Sequence, residues 1–142
     1  MAMTMHLHIV SAEKEIFSGT IEMVVARAAE GEIGVVARHA PFLSKLAPGE
    51  VRVTLEGGNQ EFFYASGGVI EVQPHVVTIL ADTALRAKDI DEAAAMEAKQ
   101  RAEESLKDRA AGMEYAEAQA ELAEAVAQLR ALERFRRRGS RA

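Results

Sequence analysis

The chain has 142 residues, 49% of them hydrophobic and only 5% aromatic, with no Trp. That is enough to bury one ordinary core or a small domain with an appendage, so global disorder is excluded and the core must be built from Val, Ile, Leu and Ala. A formal net charge of −5 argues against a surface that grips nucleic acid throughout, and the lack of cysteine excludes disulfides, thiolate metal sites and a cysteine nucleophile.

Met1 to Val10 carries two His and no long apolar run, so it does not read as a secretory signal. Met5, Leu7 and Ile9 alternate with His6 and His8, which is the pattern of a half-buried strand. The two His then face one way, either as the seed of a metal site or on the wet face of an edge strand. Val51, Val53 and Leu55 repeat the alternation and run into Gly57-Gly58-Asn59, a hairpin turn. Phe62 to Tyr64, Val69 to Val72 and Val76 to Leu80 are further strand-like runs, separated by Gly67-Gly68 and Pro74. Short strands at this spacing predict a sandwich or barrel. Nowhere is there a continuous apolar run of about 18–20 residues, so the expectation is a soluble chain that reaches a membrane only through partners.

Beyond Asp91 the composition changes. All three Pro and eight of the ten Gly lie before residue 75, and Ala, Glu, Arg, Lys and Leu follow. This segregation of turn formers from helix formers predicts two parts, residues 1–88 and 89–142. Asp89 with Glu92 suggests a capping box, and Ala94, Ala98, Ala102, Leu106 and Ala110 recur every four residues. Gly112 is placed to end that helix. A second helix starts near Met113, with Tyr115, Ala118, Leu122, Ala125, Leu129 and Leu132 forming a heptad seam. The fold class expected is therefore α+β: an antiparallel β-sandwich, then an antiparallel two-helix hairpin with a thin, Ala-rich seam.

Phosphate-cradling and nucleophile-elbow patterns are missing around Gly31, Gly34 and Ser66-Gly67-Gly68, and a pairing of His39 with Asp82 is not selected by any spacing. Arg134, Arg136, Arg137, Arg138 and Arg141 make a basic run. It reads either as a solvated tail that complements the helix dipole or as a docking element for an acidic surface.

Gly31-Glu32-Ile33-Gly34-Val35-Val36, then His39-Ala40-Pro41-Phe42-Leu43 and Pro48-Gly49, resemble the epsilon subunit of bacterial F-type ATP synthases. So do Ser66-Gly67-Gly68-Val69-Ile70-Glu71-Val72 and Val77-Thr78-Ile79-Leu80-Ala81-Asp82-Thr83-Ala84, and the likeness runs from the first strand through Leu132. The resemblance implies a non-catalytic rotor-stalk subunit without a cofactor, peripheral on the cytoplasmic side of the bacterial inner membrane. Its implied partners are the gamma subunit, the c-subunit ring, and the alpha and beta subunits of the catalytic head, with no nucleic acid. The sandwich would couple proton flow to ATP synthesis, and the hairpin would restrain ATP hydrolysis, either folded down or extended along gamma.

By the same resemblance, Glu32 and His39 fall in a loop region facing the c ring. Asp91, Arg101 and Arg130 match parts of a nucleotide-binding motif, and Ala94 stands at its first Arg. Ala37-Arg38 replaces a more usual Pro followed by Gly or another residue. No metal site is implied. Two rivals are a stand-alone interaction module acting through the basic tail and a small enzyme built on His39 and nearby carboxylates.

Overall fold

The computed structural model describes residues 3–107 and 115–139. Nine strands come first: β1 (Met5–Ser11), β2 (Glu15–Ala28), β3 (Gly31–Val36), β4 (Phe42–Leu46), β5 (Gly49–Leu55), β6 (Gln60–Ala65), β7 (Gly68–Val72), β8 (Val76–Ala81) and β9 (Ala84–Arg86). A 3-10 turn at Ala87–Asp89 leads into helices α1 (Glu92–Lys107) and α2 (Tyr115–Gly139). A β-sandwich followed by two helices is the class that the composition shift predicts.

The strands run in the order β1-β8-β7-β4-β2-β5-β6-β9, with β3 also on β2, and β1 pairs β2 as well as β8. β2 is long enough to serve both layers. Its first half pairs with β1 from Glu15 to Ile21, and its second half pairs with β3 on one side and β5 on the other. An irregularity between Ile21 and Met23 lets the strand turn from one layer to the next. One ladder departs from the antiparallel expectation: β1 runs parallel to β8. β1 is also interior rather than an edge, because β2 and β8 flank it.

Inward-facing Leu7, Ile9, Ile21, Val24, Val51, Val53, Phe63, Ile70 and Ile79 form the sandwich core. Each such side chain contributes about 1.5–3 kcal/mol on burial. The predicted turn at Gly57-Gly58 joins β5 to β6, with both glycines at positive φ and Leu55 N donating to Asn59 O (2.7 Å). Ser66-Gly67-Gly68 also makes a turn, as expected. Gly68 has φ +122°, and a Cβ there would lie 2.0 Å from the Leu80 carbonyl oxygen.

The helices differ in detail from the sequence expectation. Asp91 rather than Asp89 caps α1: its Oδ1 accepts from Ala94 N (3.1 Å), while Asp89 ends the 3-10 turn. The buried residues of α1 are Ala95 and Ala102, with Ala98 and Leu106 half-buried and Ala94 exposed. A strict four-residue repeat drifts about 40° per step on a helix of 3.6 residues per turn, so the buried stripe must mix steps of three and four. On α2 the predicted seam holds at Ala118, Ala125 and Leu132, with Leu122 and Leu129 half-buried, but Tyr115 is exposed. Ala110, Gly112 and Met113 lie outside the described residues. The start of α1 meets the end of α2 through Glu92 and Arg136, so the pair is antiparallel.

α2 has a second apolar face that the sequence reading missed. Ala127, Ala131 and Leu132, with Phe135, pack on Tyr64, Ala87 and Ile90, backed by Phe62 and Leu85. The hairpin is thereby docked on β5 and β6. This cluster is separate from the sandwich core, which includes no residue beyond Ala84.

Two outcomes are expected from this arrangement. Gly68→Ala should cost more than ~3 kcal/mol, because backbone, not a movable side chain, blocks the methyl group. Gly57→Ala, with open space around it, should cost only about 1–2 kcal/mol of left-handed strain; denaturation midpoints compare the two. A chain ended after Lys88 should still melt cooperatively with β-type circular dichroism, and a non-cooperative melt would make the hairpin part of the folding unit.

Candidate functional site

The last turns of α2 carry four of the predicted basic residues, and the structure gives each a partner inside the chain; Arg141 lies outside the described residues. Arg134 approaches Glu50 of β5 (3.9 Å), and Arg136 donates to Glu92 at the start of α1 (2.8 Å). Arg137 pairs with Glu133 one turn back, and Arg138 donates to the Gln60 side chain of β6 (3.0 Å). The Glu92 carboxyl is held below its ordinary range by the hydrogen bond and charge of Arg136. The described part of the tail thus has partners within the chain. Its pairs are exposed or partly exposed, and such pairs contribute about 0–1 kcal/mol each, so they can be exchanged.

Between the sheet and α2 runs a groove of about 310 Å3, lined by Arg27, Glu32, Pro48, Glu50, Val126 and Arg130 among others. Glu32 lies in strand β3 opposite Arg27 rather than in a loop, which corrects the expected setting. Gly49 lies close to Arg27, and a Cβ there, 3.0 Å from the Arg27 side chain, would make that side chain shift by a few tenths of an ångström.

A second groove, about 510 Å3, lies between the two helices at the level of the 3-10 turn. Asp91, Ala94 and Arg101 line it together with Asp89, Glu121 and Glu124. Burial, then the charges of Glu121 and Asp82, push the Glu124 carboxyl upward. The predicted nucleotide set is therefore divided: Asp91 and Arg101 share this acidic groove, while Arg130 opens onto the other one. Asp91 is already engaged as the α1 cap.

His39 sits in the loop after β3, its Nδ1 donating to the Ala40 carbonyl (2.7 Å). Asp82 instead acts on Glu124 near the helices. Arg38 beside it has φ +66° and donates its backbone N–H to Pro74 O (2.7 Å). This left-handed conformation is one that Gly adopts without cost, so the Arg at this position is held by its surroundings. Val36 (51% exposed), Leu43 (68%), Phe42 and Val76 stand out to solvent at the same end of the sheet. These exposed side chains flank the loop that carries His39, with Phe42 and Leu43 on opposite faces of the sheet. Sequence reasoning missed them, although apolar residues on both faces of Val35-Val36 and Phe42-Leu43 are the available signal. His6 and His8 are taken by Ser18 (3.0 Å) and Glu15 (3.2 Å) across the β1–β2 ladder.

Residues 4–87 match the family described as ATP synthase, Delta/Epsilon chain, beta-sandwich domain, and residues 88–133 match its long alpha-helix domain. The chain is 69% identical over 137 residues to the ATP synthase epsilon chain 1 of Methylococcus capsulatus, covering 96% of this chain and 98% of that one. It is 63% identical over 138 residues to the ATP synthase epsilon chain of Nitrosococcus oceani, covering 97% and 99%. Among solved structures, a chain of the Euglena gracilis mitochondrial ATP synthase, in an assembly described as OSCP, F1 and c-ring, superposes with a TM-score of 0.72 at 27% identity, covering 86% of this chain and 76% of that one.

The inter-helical groove predicts weak nucleotide binding. One Arg facing four carboxylates cannot hold a triphosphate, and each charge-assisted hydrogen bond is worth about 1.5–3 kcal/mol. Ala94→Arg, which puts a second cation into this groove, should tighten ATP binding by roughly tenfold or more. Arg130→Ala should leave it unchanged. Calorimetry on the free chain reads both, and micromolar affinity in the unaltered chain would show that other groups fill the site.

Proposed function

The chain belongs to the delta/epsilon family of ATP synthase subunits, and on that premise we propose that this epsilon chain is a non-catalytic, regulatory subunit of the central stalk. Its sandwich, residues 1–88, meets the gamma subunit and the c-subunit ring, and helps couple proton flow to ATP synthesis. Residues 89–142 form the element that restrains ATP hydrolysis by reaching the alpha and beta subunits of the catalytic head. The complex holds the chain peripherally on the cytoplasmic side of the bacterial inner membrane; no helix among the described residues is long and apolar enough to cross it.

The observation that carries this reading is the separation of two kinds of exposed chemistry. Exposed Val36, Phe42, Leu43 and Val76 lie near the loop of His39 at one end of the sheet. Exposed large apolar side chains concentrated at one end of the sheet suit a lasting protein contact. His39 contributes a polar group at the rotor and c-ring contact; Glu32, carried over by the same resemblance, lies at the other end of β3 in the groove under α2. The guanidinium row of Arg134, Arg136, Arg137 and Arg138 lies at the far end of the chain, on a helix held to the sheet by one small apolar cluster separate from the sandwich core. A permanent anchor and an exchangeable arm suit a stalk subunit with a regulatory element.

The deciding experiment reassembles the catalytic head with and without the chain. The chain should co-purify with alpha, beta and gamma, and should lower ATP hydrolysis. Replacing Arg134, Arg136, Arg137 and Arg138 by Ala should relieve that inhibition by roughly threefold to tenfold, as expected for several partly exposed ion pairs, with synthesis little changed. Inhibition that persists at low salt, where such contacts are strongest, would leave the arginines only their pairs within the chain.

A further inference from the structure

Two buried side-chain polar atoms among the described residues have no hydrogen-bond partner, Glu50 Oε2 and the Tyr64 hydroxyl. They are not scattered. Glu50 and Tyr64 are directly opposed in the β5–β6 ladder, and both lie under α2. The Glu50 side chain is only 10% exposed, yet its nearest guanidiniums, Arg52 and Arg134, stand at 3.7 and 3.9 Å. Those distances lie beyond hydrogen-bond range, so the charge is buried with attraction but without the bonds that would replace water. The Tyr64 hydroxyl is close enough to feel Gln128, but completes no hydrogen bond of ordinary geometry with it.

We propose that Glu50, with Tyr64 beside it, is a release element built into the docking surface: its charge weakens hairpin docking, and uptake of a proton there strengthens it. The inference concerns the equilibrium between docked and undocked hairpin in the isolated chain, and it stands or falls independently of any partner in the assembly. An ion-pair latch between Glu50 and Arg134 would have the opposite sign, because protonation would then break the contact.

The groups around Glu50 support the release sign. Arg52 shares its strand, Arg27 of β2 and Glu32 of β3 line the same groove, and Tyr64 faces it from β6. From α2 come Arg130 and Arg134 in that groove, and Arg137 and Arg138 in the adjoining cleft. None of the lining residues is a histidine. Burial is the largest influence on the Glu50 carboxyl and pushes it up, against the pull of Arg134, Arg52 and Arg138; Glu32 adds to the push. A carboxyl raised in the docked form binds its proton more tightly there than when undocked. Docking therefore strengthens as pH falls from the raised docked value towards the ordinary 4.5. Glu124 on α2, also raised by burial and by Glu121 and Asp82, adds a smaller contribution of the same sign.

The chain has no cysteine, so Asn59→Cys in the β5–β6 turn and Ala120→Cys on α2, both exposed, accept a donor–acceptor pair without further change. Energy transfer between them reads the docked-to-undocked ratio in the full chain. That ratio should rise between about pH 7.5 and about pH 5. At about pH 7.5, Glu50→Gln should raise it by roughly threefold to tenfold and blunt the pH response, as expected for relieving a partly buried unsatisfied charge. Tyr64→Phe should raise it further, and Glu124→Gln should remove most of the remaining pH dependence. If opening is too rare for the distance measurement, hydrogen exchange across residues 127–135 reads the same ratio and must give the same sign. A lowered ratio in Glu50→Gln, with the sheet's own melt unchanged, would establish the latch instead; an unchanged ratio would show Glu50 to be inert. Either outcome overturns the proposal.

Discussion

The fold depends on one strand that serves two layers. β2 is 14 residues long, and every other part of the sandwich is placed by what pairs with it. Its first half closes one layer through β1, and its second half carries β3 and β5. Because both faces of the second half are covered, Val24, Val25 and Ala26 are all buried in succession. A two-sided burial of that kind erases the period-2 pattern. It also makes Val24 to Ala26 the stretch of β2 least able to tolerate a polar substitution, whereas Met23 and Arg27 on either side are exposed.

That same feature explains what could and could not be read in the sequence. Strands with one wet face, such as Met5–Ser11 and Gly49–Leu55, announce themselves by alternation. β2, β3 and β4 do not, because covered faces, a register shift near Ile21 and exposed apolar side chains put Val, Leu and Phe on both sides. The turn at Gly57-Gly58 was legible, since two positive-φ residues in a hairpin leave few alternatives to Gly. The parallel β1–β8 pair was not, because nothing local records which distant strand completes a layer. On the helices, the seam of α2 was legible as a heptad, but its second face was not. Ala127 and Ala131 look no different in sequence from Ala120 or Ala123, which stay in solvent. Small side chains carry little orientation signal, and only Phe135 could have hinted at a further contact.

The candidate surfaces divide in the same way. The basic tail was visible as composition, whereas its partners Glu50, Glu92 and Gln60 are separated from it by 44 to 84 residues and needed the fold. The nucleotide residues were placed by resemblance alone. The fold then put Asp91 and Arg101 in one groove and Arg130 in another, because residues 101 and 130 occupy different sides of the docked pair. Charge adds to this separation, since Glu121 and Glu124 face the groove that a triphosphate would need.

Taken together, these features make the hairpin's attachment conditional. Its apolar attachment is one small cluster, to which α2 supplies two alanines with Leu132 and Phe135. Its ionic pairs are mostly exposed, so their net worth is small and sensitive to salt. Glu50, the least exposed partner in its described ionic pairs, opposes docking rather than favouring it. An element held this way needs no large input to be released, because an outside surface has only to offer the arginines carboxylates as good as Glu92 and Glu133, and Phe135 a pocket as good as the one beside Phe62. The sandwich below is different in kind: its core is made of Val, Ile, Leu and Phe, shares no residue with the docking cluster, and loses nothing from its interior when the helix leaves. Release of the arm and persistence of the anchor are thus two consequences of one division, between a large sandwich core that ends at Ala84 and a small docking cluster that shares no residue with it.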